Sequence, residues 1–173
     1  RVFILDITTD LKIPTLAVLL VDSTGELPVS MGIAADLNPT EACKKALFEG
    51  LQAVYLEPPP DTLLVKKYER NPEKYLHLID TFEKRRALWS SKNMTKYLEF
   101  FLNGSKKSIQ DVVFCKQISS SFEAIKEVLR EMNYTCYILD LSTRESKKEG
   151  LFVVRALVPE LIPLYFSEQG KYL

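Results

Sequence analysis

The chain has 173 residues, 23 of them basic and 23 acidic, and 46% of it is hydrophobic. That composition describes a soluble globular chain long enough to bury one sizeable core. A formal net charge of zero argues against nucleic acid as the main partner, because neutralising phosphates needs a basic excess.

The most apolar run, Leu16 to Val21, is strand-sized, far short of the roughly 20 residues that span a membrane. No signal-peptide pattern opens the chain, so a cytoplasmic protein without a membrane partner is expected. Cys43, Cys115 and Cys136 lack metal-ligand spacing and read as reduced, buried thiols. His77 is the only histidine, and its place in an amphipathic stretch predicts a structural role. The short basic clusters, Lys84-Arg85-Arg86 among them, read as solvated faces.

The chain opens in a β pattern, Val2-Phe3-Ile4-Leu5, with no initiator Met, as a piece of a longer protein would. Ile4-Leu5-Asp6-Ile7-Thr8-Thr9 is repeated in type by Ile138-Leu139-Asp140-Leu141-Ser142-Thr143 near the other end. Each copy precedes a charged connection and a second β-rich run, Leu16 to Val21 or Leu151 to Val158. Strand–loop–strand units are therefore predicted at both ends.

Gly32 to Gln52 reads as a strand end, a turn and a strongly specified helix start. Asn38 suits the N-cap, Pro39 the first helical position, and Glu41 the return arm of a capping box. Cys43, Ala46, Leu47, Gly50, Leu51 and Val54 form an apolar stripe at helical period. Lys45, Glu49 and Gln52 line an adjacent face, where Lys45 and Glu49 have the spacing of an ordinary surface pair.

Pro58-Pro59-Pro60 stops that helix. Asp61 to Arg70, Pro72 to Trp89 and Met94 to Leu102 read as helices, the last closed by Asn103-Gly104. A strand is predicted over Asp111 to Cys115. Ser120 and Glu123 then form a capping box for a helix that buries Phe122, Ile125, Val128, Leu129 and Met132 and stops at Asn133. The fold class is α+β (mixed α/β), with strand pairs at both ends and several helices between them.

Three segments, in order, resemble the YcaO family of ATP-dependent enzymes that modify peptide backbones. Leu5 to Thr15 is similar to its D-x-T-x-D-x-x-I-P strand and turn, and Gly32 to Gln52 to its D-L-x-P…A-L-x-E-x-x-Q helix entry. Val153 to Pro159 is similar to its V-V-[RK]-x-x-V-P-G strand. The resemblance covers residues 1–173 as the C-terminal half of a YcaO-like domain, with the N-terminal half and its Glu-x-x-Glu helix missing.

The resemblance implies ATP and Mg2+ as cofactors, with Glu49, Gln52 and Arg155 as cofactor-binding residues and Glu49 also facing the metal. It assigns no catalytic residue. It implies phosphorylation of a peptide amide oxygen and closure of Cys, Ser or Thr to an azoline, with the fragment alone inactive. The alternatives within the family are thioamide formation and an accessory role in ribosomal-protein methylthiolation; outside catalysis, the alternative is a degenerate scaffold. The implied partners are a peptide substrate, a leader-binding or E1-like protein or domain, the missing half, and in some assemblies a second copy. Two positions depart from the pattern: Val54 stands where Arg is often found, and Glu160 where the last motif has Gly.

Overall fold

The structure, a computed structural model, describes residues 1–22, 28–56, 58–112 and 121–162. They divide into two compact units, one within residues 1–114 and the other within 115–164.

The first unit begins with an antiparallel sheet of β1 (Val2–Asp6), β2 (Thr15–Val21) and β3 (Val29–Ala35), in that order. Its register pairs Phe3 with Leu19 and Ile4 with Val18, then Val18 with Gly32 and Leu19 with Met31. Side chains alternate between faces along a strand. One face therefore carries Leu16, Val18 and Leu20 with Ser30 and Gly32, and the other carries Ala17 and Leu19. β2 is central, and Leu16 to Leu19 are all buried.

α1 (Pro39–Tyr55) packs on β3 and β2. The Asn38 side chain accepts from the Thr40 N–H at 2.9 Å, and Pro39 opens the helix as predicted. Glu41 does not complete a capping box. The Asn38 N–H it would reach is taken by Asp36 Oδ1 at 2.8 Å, and Glu41 holds Lys44 instead. Ala42, Ala46 and Gly50 form the buried seam, flanked by half-buried Cys43, Leu47 and Leu51. Val54, at the end of the predicted stripe, is 36% exposed.

The following helices are shorter than the sequence pattern predicts. α2 (Thr62–Arg70) is capped by Asp61, which accepts from the Leu63 and Leu64 N–H groups. The predicted helix Pro72 to Trp89 divides into a 3-10 segment, Pro72–Leu78, which carries exposed His77, and α3 (Phe82–Trp89). Between them Ile79 turns extended and buries its side chain, and the Thr81 hydroxyl caps α3 by accepting from the Lys84 N–H. Ile79 joins Tyr68, Ala87, Leu88 and Met94 in one core. Burying a side chain of that size contributes about 1.5–3 kcal/mol, enough to outweigh one broken helical turn.

The predicted helix Met94 to Leu102 is a 3-10 segment, Lys92–Leu98, running into α4 (Glu99–Leu102). Asp111 lies in a 3-10 turn capped by Ser108, not in a strand. Val112 caps the end of that turn and is buried, while residues 113–115 of the predicted strand and Ser120 of the second capping box lie outside the described residues.

The second unit holds α5 (Ser121–Glu131), the strands β4 (Tyr137–Asp140) and β5 (Val154–Leu157), and α6 (Arg144–Lys148) between the strands. β4 and β5 form an antiparallel hairpin. α5 buries Ala124, Val128 and Leu129, whereas Phe122 and Ile125 are exposed. Asn133, at φ 58°, ends the helical run in the left-handed region that asparagine tolerates. Cys136 is exposed, contrary to expectation: it lies just before β4, and every residue of that strand is exposed as well.

The two end units share a local device. Asp6 Oδ1 accepts from the Thr8 N–H at 3.1 Å, and Asp140 Oδ1 from the Ser142 N–H at 2.9 Å. In both, an aspartate at the strand end closes an Asx turn that starts the connection.

Candidate functional site

The sequence points to α1, and α1 is held at several points along its length. Gly32 lies against its seam: a Cβ there would collide with the Ala46 carbonyl oxygen and the Gly50 nitrogen. The Ser30 hydroxyl donates to the Gly50 carbonyl at 2.7 Å. At the far end, the Arg86 guanidinium of α3 donates to the Ala53 carbonyl at 3.2 Å. The last turn of a helix leaves carbonyls without intrahelical partners and carries partial negative charge. α1 has no basic residue of its own there, and Arg86 supplies one.

Glu49 and Gln52 are exposed and lie one turn apart, on the same face of α1. Glu49 Oε2 accepts from the Ile33 backbone N–H at 2.7 Å. The pairs Asp22–Pro28 and Asp36–Pro14 are hydrogen-bonded, so in an antiparallel ladder Ile33 points its N–H away from β2, at the free edge of β3. Glu49 thus ties the helix to the sheet edge with one oxygen. Among the described residues its other oxygen has no partner.

Lys45 does not pair with Glu49. Its ammonium meets Asp36 Oδ2 at 2.6 Å, across the turn that leads into α1. That hydrogen bond, followed by the one from the Asn38 N–H, holds the Asp36 carboxyl below its usual pKa. Lys45 is thereby a brace of the helix entry, and Glu49 is left to the strand.

Arg155 lies in the second unit, exposed on β5 opposite Leu139. Glu160 plays a structural part, its carboxylate accepting from the Thr135 N–H at 3.1 Å, just before β4. In the same unit Asp140 is held well below the usual carboxylate range by Lys147, then by the Ser142 hydroxyl and N–H.

For a Mg2+–nucleotide group the donor chemistry fits in part. Mg2+ is typically bound through one or two carboxylates, with water and phosphate oxygens completing the shell. Glu49 offers one free carboxylate oxygen and Gln52 an amide one turn on. Among the described residues no cluster of three or more His, Cys, Asp or Glu is placed to hold a metal alone. Two clefts, one at the end of β1 and β2 and one along β1, include neither Glu49 nor Gln52. Glu49 and Gln52 stand on an open helix face. Arg86 carries no sequence signal of this role, since Lys84-Arg85-Arg86 reads as a solvated face and its partner lies 33 residues away. No helix among the described residues is long and apolar enough to cross a membrane.

Comparison with known proteins agrees with this architecture. A family model described as "YcaO cyclodehydratase, ATP-ad Mg2+-binding" matches residues 1–162. Among solved structures, a heterocyclase in complex with substrate and cofactor is similar over 92% of this chain and 19% of its own, at 21% identity and a TM-score of 0.62. The heterocyclase TruD is similar over 99% of this chain and 21% of its own, at 19% identity and a TM-score of 0.57. The chain therefore spans about a fifth of the length of these heterocyclases. No curated protein matches. With the family model extending from Arg1 into the connection after β5, the chain belongs to the YcaO family.

Proposed function

We propose that this protein, as the C-terminal half of a YcaO domain, takes part in ATP-dependent activation of a peptide backbone amide. The family match over residues 1–162 carries the reading, and the Glu49–Gln52 face of α1 gives it residues. A side-chain thiol or hydroxyl of the substrate gives up its proton to solvent as it adds to the preceding carbonyl carbon, and the former carbonyl oxygen becomes an oxyanion. Bound ATP supplies the phosphoryl group that turns this oxygen into a leaving group, with ADP released. Loss of phosphate with the amide proton leaves the azoline ring.

In this reading the free Glu49 oxygen faces Mg2+, while its other oxygen stays on the Ile33 N–H and fixes the carboxylate in place. Gln52, one turn on, hydrogen-bonds the phosphate chain. Arg155, exposed on β5 of the second unit, carries a guanidinium of the kind that suits phosphate oxygens. Such preorganised charge lowers the barrier where negative charge builds up.

The test is calorimetric titration of ATP, with and without MgCl2, into the complete polypeptide and its Glu49→Ala and Gln52→Ala variants. ATP affinity about tenfold or more weaker, and slower peptide-dependent phosphate release, are expected in each. Unchanged values in both variants refute the assignment. Val54 motivates a second reading, a scaffold without catalysis; absence of ATP binding by the wild type supports it.

A further inference from the structure

The sheet's two edges are treated differently. On β3 the Glu49 carboxylate covers the outward Ile33 N–H. On β1 no such cover exists among the described residues. Arg1 exchanges hydrogen bonds with Val21, and the Ile7 N–H donates to Thr15. By the two-residue alternation of an antiparallel pair, Val2, Ile4 and Asp6 direct their N–H and C=O groups away from β2. Val2 and Ile4 also leave 59% and 55% of their surface exposed.

This edge does not face open solvent. The segment after α4 leaves from Leu102, which packs on the cluster of Leu19, Val29 and Leu98, and runs to Val112, packed with Leu16. Leu16 and Leu19 project from opposite faces of the sheet, so the segment passes around the β1 edge. Between the edge and the segment lies a cleft of about 710 Å³ lined by every residue from Val2 to Ile7. Its opposite wall includes Phe100 and Phe101, set edge to face, and Lys106 and Lys107. Lys107 reaches Asp6 only at 3.6 Å, and Lys106 makes no ion pair among the described residues.

We propose that this cleft binds an extended segment of the peptide substrate as a fourth strand on β1. The identity of the occupant rests on the function proposed above; the shape of the site does not. A row of outward N–H and C=O groups at three alternate residues, spanning roughly 13 Å, is what strand addition requires. Val2, Ile4 and the Phe100–Phe101 pair receive alternate apolar side chains. Lys106 and Lys107, at the Asp6 end, select an acidic residue there. Natural sheets usually blunt an exposed edge with charge, proline or a bulge. β1 has none of these from Val2 to Leu5, and its only shield among the described residues is the segment across the cleft.

The test is fluorescence anisotropy with the complete polypeptide. The probe is a labelled octapeptide of alternating valine and threonine with two glutamates at one end. A second probe is N-methylated at alternate residues, which removes strand hydrogen bonds and leaves the protein untouched. The methylated probe is expected to bind about tenfold more weakly. Ile4→Pro, which deletes one outward N–H at a position where edge strands tolerate proline, is expected to weaken the unmodified probe severalfold. Lys106→Glu is expected to weaken it and to favour a lysine-ended probe.

Equal binding of the two probes overturns the proposal. So does a β1-mediated dimer in sedimentation that Ile4→Pro dissolves, because a second copy would then own the edge. Probe binding by a wild type that fails to bind ATP supports the strand site while refuting the nucleotide reading. ATP binding without probe binding does the reverse.

Discussion

Gly32 of β3 and Gly50 of α1 lie in direct backbone contact, and neither position has room for a bulky side chain. They are not equivalent. A Cβ on Gly32 would collide with two α1 backbone atoms and come within 2.9 Å of Glu49 Cβ. A Cβ on Gly50 would meet Gly32 N at 3.3 Å and the flexible end of Leu20 at 3.4 Å.

Gly32→Ala is therefore expected to push α1 off the sheet and destabilise the protein by about 1–3 kcal/mol. Gly50→Ala gains up to about 1 kcal/mol of helix propensity against a tight but yielding contact, and should stay within about 1 kcal/mol of wild type. Urea denaturation of the two variants checks the asymmetry. Equal losses would show that the seam is looser than its geometry.

What was legible in the sequence was local. Asn38 and Pro39 set the start of α1 through groups two residues apart. The strand–loop–strand units at both ends followed from alternation and the repeated Asp. Ile79 was not legible, because the core that draws it out of the helix is assembled from Tyr68, Leu88 and Met94. Neither was the true partner of Lys45: helical spacing offers Glu49, but the turn before α1 brings Asp36 nearer. The geometry of the candidate site was half legible. Glu49 and Gln52 could be singled out, yet the hold of Glu49 on Ile33 depends on β3 being an edge strand, a matter of topology. Arg86 at the end of α1 depends on how α3 packs, which no motif records.

The two oxygens of Glu49 have separable roles. Glu49→Gln keeps a carbonyl acceptor for the Ile33 N–H but loses the charge for Mg2+; Glu49→Ala loses both. Because the Ile33 N–H stands at an exposed edge, water can replace its partner, and Glu49→Ala should cost no more than about 1 kcal/mol in stability. Both variants should lose Mg2+-dependent ATP affinity by a similar factor, roughly tenfold or more. Wild-type affinity in Glu49→Gln would leave Glu49 as an edge brace only. Thermal unfolding beside ATP titration of both variants resolves the matter.

Arg155 can be tested by the difference between arginine and lysine. If its guanidinium holds phosphate oxygens in a two-point fork, Arg155→Lys keeps the charge but loses the fork. ATP affinity should then fall in both Arg155→Lys and Arg155→Ala, by about threefold and tenfold respectively, with stability unchanged because the side chain is exposed on β5. Full ATP affinity in Arg155→Ala would remove Arg155 from the site.

The Lys45–Asp36 brace gives the protein an acid-sensitive helix entry. The Asp36 carboxyl is lowered from 3.8, so its contribution is complete above the unfolded-state value and is lost as pH falls through the folded-state value. The window lies below about pH 3.8. Lys45 is largely exposed, so the pair is worth at most about 1 kcal/mol. In Lys45→Met the Asp36 titration should move upward but stay depressed, because the Asn38 N–H still donates to it. Carboxyl-carbon NMR titration of wild type and variant measures both midpoints. An unmoved Asp36 midpoint in Lys45→Met would show that the Asn38 N–H alone sets it and that Lys45 braces nothing.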